Sequence, residues 1–437
     1  MKKRVLSLFL VLILLLSGCV AGGGNPSDPE QTVPPQTEST SQVPEYNGSP
    51  VTITFAHHYS SRYWSVLDAY IAEFNKLYPN ITVTHKSLGE MEDIHEVNRF
   101  GSPKGNIVTC LPEHAADYFD KGLVVALDDY MKASLTQEQW DDQVKVFYED
   151  GKAFGDGKTY TLPLYRYTDV LYYNKDFFDL HGLTPPTTWE EMESLCKRIL
   201  QLDPQSKPLL IAYGSNIYYE MSAEQGTENL FAGSAAQSTV ERLQRWQQAG
   251  YMDVGIQDKA GYISNRFVGL DYNSRCYMAI DSSNVGSYYY NDFEVGVAAL
   301  PGKTVTQGVD VCVMKSGNEQ EEAASWLFVK FMTTNADFQA ALAMVDGYMP
   351  AIHSAAKTPA YTDFLNSSSG KIGVEAKANQ LCLSRGQFLQ LPVYAMAKDT
   401  QKDVEDMLYR CLYGQGNPGA DFIARELAAL AEKYKDR

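Results

Sequence analysis

Between Val51 and Gly122 the chain alternates strand and helix patterns, and that alternation restricts its fold more than any other feature. Val51–Ala56, VTITFA, reads as a strand. The run SVLDAYIAEFNKLYP follows, with Val66, Tyr70, Ile71, Phe74 and Leu77 at helical spacing and Pro79 as the stop. NITVTHKS and GNIVTCLP read as further strands, the latter leading into helix-like EHAADYFDKG. Strands separated by helices need crossover connections, so the reading is a parallel sheet with flanking helices.

The same reading carries down the chain. FGDGKTYTLPL reads as strand, Asp156-Gly157 turn, strand. A phosphate-binding loop at Gly157-Lys158-Thr159 is excluded, because that motif needs a glycine where Lys152 stands. Thr188 and Glu191 have capping-box spacing at the head of an amphipathic helix reaching about Leu202. ENLFAG and TVERLQRWQQAGYM read as helices; CYMAIDSS, EVGVAAL and GVDVCVMK read as strands. EQEEAASWLFVKFMTT and DVEDMLYRCLYG are amphipathic helices. No internal repeat of fixed period is present.

The N-terminus has a different character. Met1-Lys2-Lys3-Arg4 is basic, and the apolar run Val5–Leu16 is a signal-peptide core, short of the roughly 20 residues that span a bilayer. Leu16-Ser17-Gly18-Cys19 resembles a bacterial lipobox, which implies a signal peptide over 1–18 and an acylated Cys19. Residues 19–50 hold Gly22-Gly23-Gly24, Pro34-Pro35 and many Ser, Thr and Gln, and read as a disordered tether with a reach of about 30 Å. The expectation is a body held by lipid on the extracytoplasmic face of the cell membrane.

Length and charge set further bounds. A mature chain of this length exceeds one core, so two domains are expected. The formal charge of -17 repels phosphate backbones and argues against nucleic-acid partners. Cys110, Cys196, Cys276, Cys312, Cys382 and Cys411 show no metal spacing and read as small buried thiols, with disulfides left open by an exported location. No metal or cofactor is implied.

The order of landmarks resembles the ABC-transporter extracellular solute-binding proteins of the maltose-binding-like family, family 1. The pieces are YIAEFNKLYPNITV, DYFDKGLVVALDDYM, DGKTYTLPLYRYTDVLYYNKDFFDLHGLTPPTTWEEM, RCYMAIDSS, EVGVAALPG as a hinge crossing, and EEAASWLFVKFMTTNADFQAALAMVDGYMPAIHSA. Gln307-Gly308-Val309-Asp310 departs from the glycine-rich, often Trp-containing segment of many relatives, which alters one pocket edge. The resemblance implies an α/β, two-lobe periplasmic-binding-protein-like fold of type II. One lobe is 51–161 plus 295–332, the other 162–294 plus 333–437, with hinge strands between them and a ligand cleft. It implies a monomeric, non-enzymatic receptor that captures a carbohydrate by cleft closure and delivers it to the permease subunits of an ABC importer.

A sugar offers hydroxyl edges and apolar faces, so candidates are polar and aromatic residues just past strand ends. They are His58, Tyr59, Glu113, Arg166, Thr168, Tyr219, Glu220, Asp281, Ser283, Tyr348 and Tyr394, with His57, His114, Tyr167, Tyr218 and Ser282 beside them. Each has a plainer reading. His57 and His58 point opposite ways on a strand and do not make a metal pair. Glu113 suits a helix start. Arg166 can pair with Asp169 on the surface. Tyr218 and Tyr219 alternate, one toward the core and one toward the pocket. Asp281 can cap a turn, and Tyr348 and Tyr394 can pack. A polyol phosphate such as glycerol 3-phosphate would need a committed cleft arginine, Arg166 or Arg385. A surface glycosidase would need paired carboxylates, and a glycan-gripping protein without a transporter is a third reading.

Overall fold

The computed structural model describes residues 43–224, 230–255, 264, 266–267, 275–367, 369–395, 397–414 and 418–435. The expected lipobox cysteine, Cys19, lies outside these residues. The expected tether ends earlier than residue 50. Val43 and Tyr46 pack against buried apolar residues, and the Asn47 main-chain N–H donates to Gln320 Oε1 at 2.8 Å.

The strands are β1 (Val51–His57), β2 (Ile81–Ser87), β3 (Ile107–Cys110), β4 (Thr161–Asn174), β5 (Leu209–Ile211), β6 (Met252–Val254), β7 (Met278–Ser282), β8 (Val295–Ala298), β9 (Thr304–Val313), β10 (Met349–Pro350) and β11 (Phe388–Leu389). The helices of eight or more residues are α1 (Trp64–Leu77), α2 (Met91–Asn98), α3 (Pro112–Asp120), α4 (Trp189–Leu202), α5 (Gly214–Glu224) and α6 (Ser234–Gln248). They continue with α7 (Glu319–Thr334), α8 (Ala336–Met344), α9 (Gly370–Arg385), α10 (Ala397–Tyr413) and α11 (Ala420–Lys433).

The sheet runs β2-β1-β3-β9-β4-β7-β5-β6. β1 pairs parallel with β2 and β3, and β5 pairs parallel with β6 and β7, as crossover helices demand. The sheet is nonetheless mixed, because β9 enters antiparallel between β3 and β4, and β4 meets β7 antiparallel. β4 and β9 are the long elements. Their N-lobe ends pair at Thr161↔Cys312, their ladder continues to Thr168↔Thr306, and β4 then runs on against β7 to Tyr173↔Met278. These two strands make the crossing between the two halves. β8, expected at the crossing, pairs with the far end of β4 instead.

Each half has its own core. The first gathers Ile53, Phe55, Phe74, Leu164, Val311 and Phe328; the second gathers Trp189, Leu209, Tyr218, Trp246, Ile280 and Leu408. Phe338 and Leu342 of α8 belong to the first core, although the sequence reading put residues from 333 onward in the second lobe. The amphipathic stripes of α1 and α7 face that core.

Two local readings change. The stretch FGDGKTYTLPL forms no hairpin: a short 3-10 turn, Asp150–Lys152, precedes it, residues 154–157 turn and bend, and one long strand begins at Thr161. Gly151 lies so close to the start of β4 that a Cβ there would meet Thr161 O at 2.2 Å. The described part of ENLFAG is turn, and α6 begins only at Ser234, after Gly233 with φ of 97°. All six described cysteines are free and buried.

Candidate binding site

The carboxyl end of β3 and inner stretches of β4 and β9 converge with the chain before α10 on a cavity of about 150 Å³. The first half contributes Glu113 from α3, and Asp150. The crossing strands contribute Arg166, Tyr167, Gln307 and Gly308, and the second half Pro392, Lys398 and Gln401. A cleft lined from both halves is the usual place for a small ligand.

β4 sets the chemistry of its floor by alternation. Tyr167 keeps partial exposure to the cavity, whereas Arg166 is 1 % exposed. The Arg166 guanidinium lies 2.6 Å from Asp310 Oδ1 and 3.4 Å from Asp150 Oδ2, and it donates to the carbonyls of Tyr165 and Phe147 at 3.1 and 3.2 Å. The expected surface pairing with Asp169 does not occur. Two buried carboxylates hold Arg166 instead, because an isolated charge there would be prohibitive. Burial raises the Asp150 carboxyl to about 6 in spite of Arg166.

An aromatic wall stands beside it. Tyr348 stacks on Tyr165 with ring centres 4.1 Å apart and planes at 10°, and lies 5.9 Å from Tyr167. His58 places Nε2 3.1 Å from the Tyr165 hydroxyl and Nδ1 3.2 Å from Thr109 Oγ1. Burial lowers its pKa to about 4, so the ring is neutral at pH 7 and donates through one nitrogen while accepting at the other. His57 turns the other way, 2.9 Å from His85, as alternation requires. Glu113 stands in the first turn of α3 and also lines the cavity. It keeps partial exposure yet is closely surrounded by protein, and desolvation raises its carboxyl to about 7.

The structure therefore brings Glu113 and Arg166 to one cavity, while His58 and Tyr348 belong to the aromatic cluster around Tyr165 rather than to its lining. Other candidates are elsewhere. Tyr59 is wholly buried and stacks on Tyr63 at 4.6 Å. Thr168 and Ser283 lie in the crossing region: the Thr168 hydroxyl donates to the Val305 carbonyl at 2.7 Å, and its N–H donates to Ser283 Oγ at 3.3 Å. Tyr219 and Glu220 are interior residues of α5. Tyr218 and Tyr219 are both core, since neighbours on a buried helix need not alternate as they do on a strand. Glu220 Oε1 accepts the Val305 N–H at 2.9 Å. Asp281 accepts from the Ser282 N–H at 2.7 Å and the Tyr289 hydroxyl at 2.6 Å, so it is a buried acid near the end of β7. Tyr394 packs on the second core, its hydroxyl 2.6 Å from Thr400 Oγ1.

Sequence reasoning missed Lys398 and Gln401. Both lie on α10 in a polar stretch, and nothing in that stretch distinguishes a cleft face from a solvent face. Lys398 pairs with Glu92 of α2, a contact between the two halves. Among the described residues no group of three or more His, Cys, Asp or Glu is placed to hold a metal ion.

The profile of the bacterial extracellular solute-binding proteins matches residues 69–364. A Brucella abortus chain described as a binding protein is 26% identical over 334 residues, covering 72% of this chain and 76% of that one. The sugar-binding protein MalE of Xanthomonas citri superposes with a TM-score of 0.70 at 17% identity, over 88% of this chain and 99% of MalE. UgpB of Mycobacterium tuberculosis, in complex with glycerophosphocholine, superposes with a TM-score of 0.69 at 16% identity, over 89% and 98%. The fold is thus the mixed α/β periplasmic-binding-protein fold. The chain belongs to the bacterial extracellular solute-binding protein family, and is a binding protein of ABC transport rather than an enzyme.

Proposed function

We propose that the cavity between the halves captures a carbohydrate, which the protein delivers to a membrane permease while moored through an acylated Cys19. The pairing of the cavity's cations carries the choice of ligand. Arg166 and Lys398 are the cationic residues of its lining, and each is matched by carboxylates: Asp150 and Asp310 for the first, Glu92 for the second. A phosphate would have to displace an internal carboxylate to gain a charged partner, and it would face Glu113 besides. A neutral polyol instead finds acceptors at Glu113 and Gln307 and ring surface at Tyr167. The sugar-binding MalE neighbour supports this reading. The same pairing weakens the polyol-phosphate alternative that UgpB raises.

A thermal-shift screen of the mature chain tests it. A sugar present at 100 times its Kd adds about 2.7 kcal/mol of stability. Melting is expected to rise with at least one mono- or oligosaccharide and not with glycerol 3-phosphate. A shift with glycerol 3-phosphate alone would overturn the reading.

A further inference from the structure

The charged groups around the cavity are not evenly matched. Arg166 and Lys398 meet four carboxylates: Asp150 and Asp310 hold Arg166, Glu92 pairs with Lys398, and Glu113 is left over. Gln390 Nε2 also donates to Asp150 Oδ1 at 3.0 Å, so that carboxylate has two partners. Among the described residues Glu113 has no ion-pair partner. It stands in the first turn of α3 and lines the cavity together with Asp150 and Tyr167. Burial raises its carboxyl to about 7, and the charges of Asp310 on β9 and Asp150 before β4 push the same way.

A second group of the lining is also unmet. Thr306 of β9 is 9% exposed, and its Oγ1 has no hydrogen-bond partner. A ligand that fills the cavity removes the water left to Glu113, and a carboxylate with neither water nor partner is costly. Two remedies exist: Glu113 takes up a proton, or the ligand brings a cation. The surplus of carboxylates favours the cation, because Asp150 and Asp310 attract it along with Glu113. An ammonium group carries one positive charge and three N–H donors, which suits a carboxylate and a hydroxyl oxygen as acceptors.

We infer that the ligand is an amino sugar whose protonated amine pairs with Glu113, with Thr306 as a further acceptor. This rests on the carbohydrate reading and adds a charge to it. Calorimetric titration of the mature chain tests it with glucosamine, galactosamine, mannosamine and the β-1,4-linked dimer of glucosamine. Each is compared with its hydroxyl counterpart: glucose, galactose, mannose and cellobiose. At pH 7 at least one amine is expected to bind about tenfold more tightly than its counterpart. Its affinity is expected to rise about tenfold from pH 5.5 to pH 7, because Glu113 of the free protein ionises over that range while an amine with a pKa of about 8 stays charged. Glu113→Gln is expected to abolish both the preference and the pH dependence; if that variant does not fold, the pH profile of the parent chain decides. A hydroxyl sugar that binds as tightly as its amine, with affinity falling as pH rises through 7, shows proton uptake by Glu113 and overturns the cation while leaving the carbohydrate reading intact. A preference that survives in Glu113→Gln overturns it too. Binding of none of these sugars sinks the inference, and the carbohydrate reading then stands or falls with the thermal-shift screen.

Discussion

At the scale of single residues, the site is governed by how buried charges are matched. Arg166 drew attention because the sequence reading ended a strand at Leu164, whereas it lies within the continuous strand β4 and lines the cavity from there. Its partners were not legible, because Asp150 is distant in sequence and Asp310 more so. Removing the guanidinium leaves both carboxylates buried without a cation. Arg166→Ala is therefore expected to cost about 3–5 kcal/mol in urea unfolding. Glu220 makes the opposite kind of prediction. Burial lifts its carboxyl well above the ordinary value, and its Oε2 has no partner. Below about pH 4 the group is protonated folded or unfolded, and its stabilising contribution is complete. As pH rises the unfolded chain ionises first, and that contribution is lost up to the folded pKa. The Tm of Glu220→Gln, relative to the parent, is expected to climb between pH 4 and pH 8 by about 3 °C or more. A difference independent of pH would contradict the buried, protonated acid.

At the scale of elements, periodicity found most of the strands and helices, and topology escaped it. The 3.6-residue stripes of α1, α4, α6 and α7 and the apolar runs of β1, β3, β7 and β9 are local facts, so the sequence displayed them. Whether β9 lies parallel or antiparallel depends on what it meets, and no window of sequence holds that. The false hairpin before β4 has the same origin: Asp156-Gly157 is a bend, but the chain before it is a 3-10 turn, Asp150–Lys152, rather than a strand. The pocket candidates divide along this line too. Glu113 follows the end of β3 and lines the cavity, whereas His58 and Tyr348 stand in the neighbouring aromatic cluster. Tyr219 and Glu220 were misplaced because a short strand, β5, gives way at once to a buried helix. The crossing strands supply this scale's test. Gly308 sits against β4 where a Cβ would meet Tyr165 O at 2.2 Å and Arg166 Cδ at 2.8 Å. Gly308→Ala is expected to destabilise by about 1–3 kcal/mol, and ligand affinity should fall with it, because the same backbone lines the cavity. Unchanged stability in chemical denaturation would show that the two strands can part there without cost.

For the whole molecule, β4 and β9 run between the two cores. A ligand touching both halves favours the conformation in which they meet. Glu92 of α2 and Lys398 of α10 already touch across the cavity, and Val393 and Ala395 pack on residues of the first half while Tyr394 packs on the second. That chain segment crosses the cleft, as a binding protein's closing contacts should. Small-angle scattering of the mature chain, free and then saturated with the sugar that raises its melting temperature, measures this directly. The account predicts a smaller radius of gyration with sugar bound, and no change with glycerol 3-phosphate. Identical curves with and without a sugar shown to bind would contradict closure around the ligand.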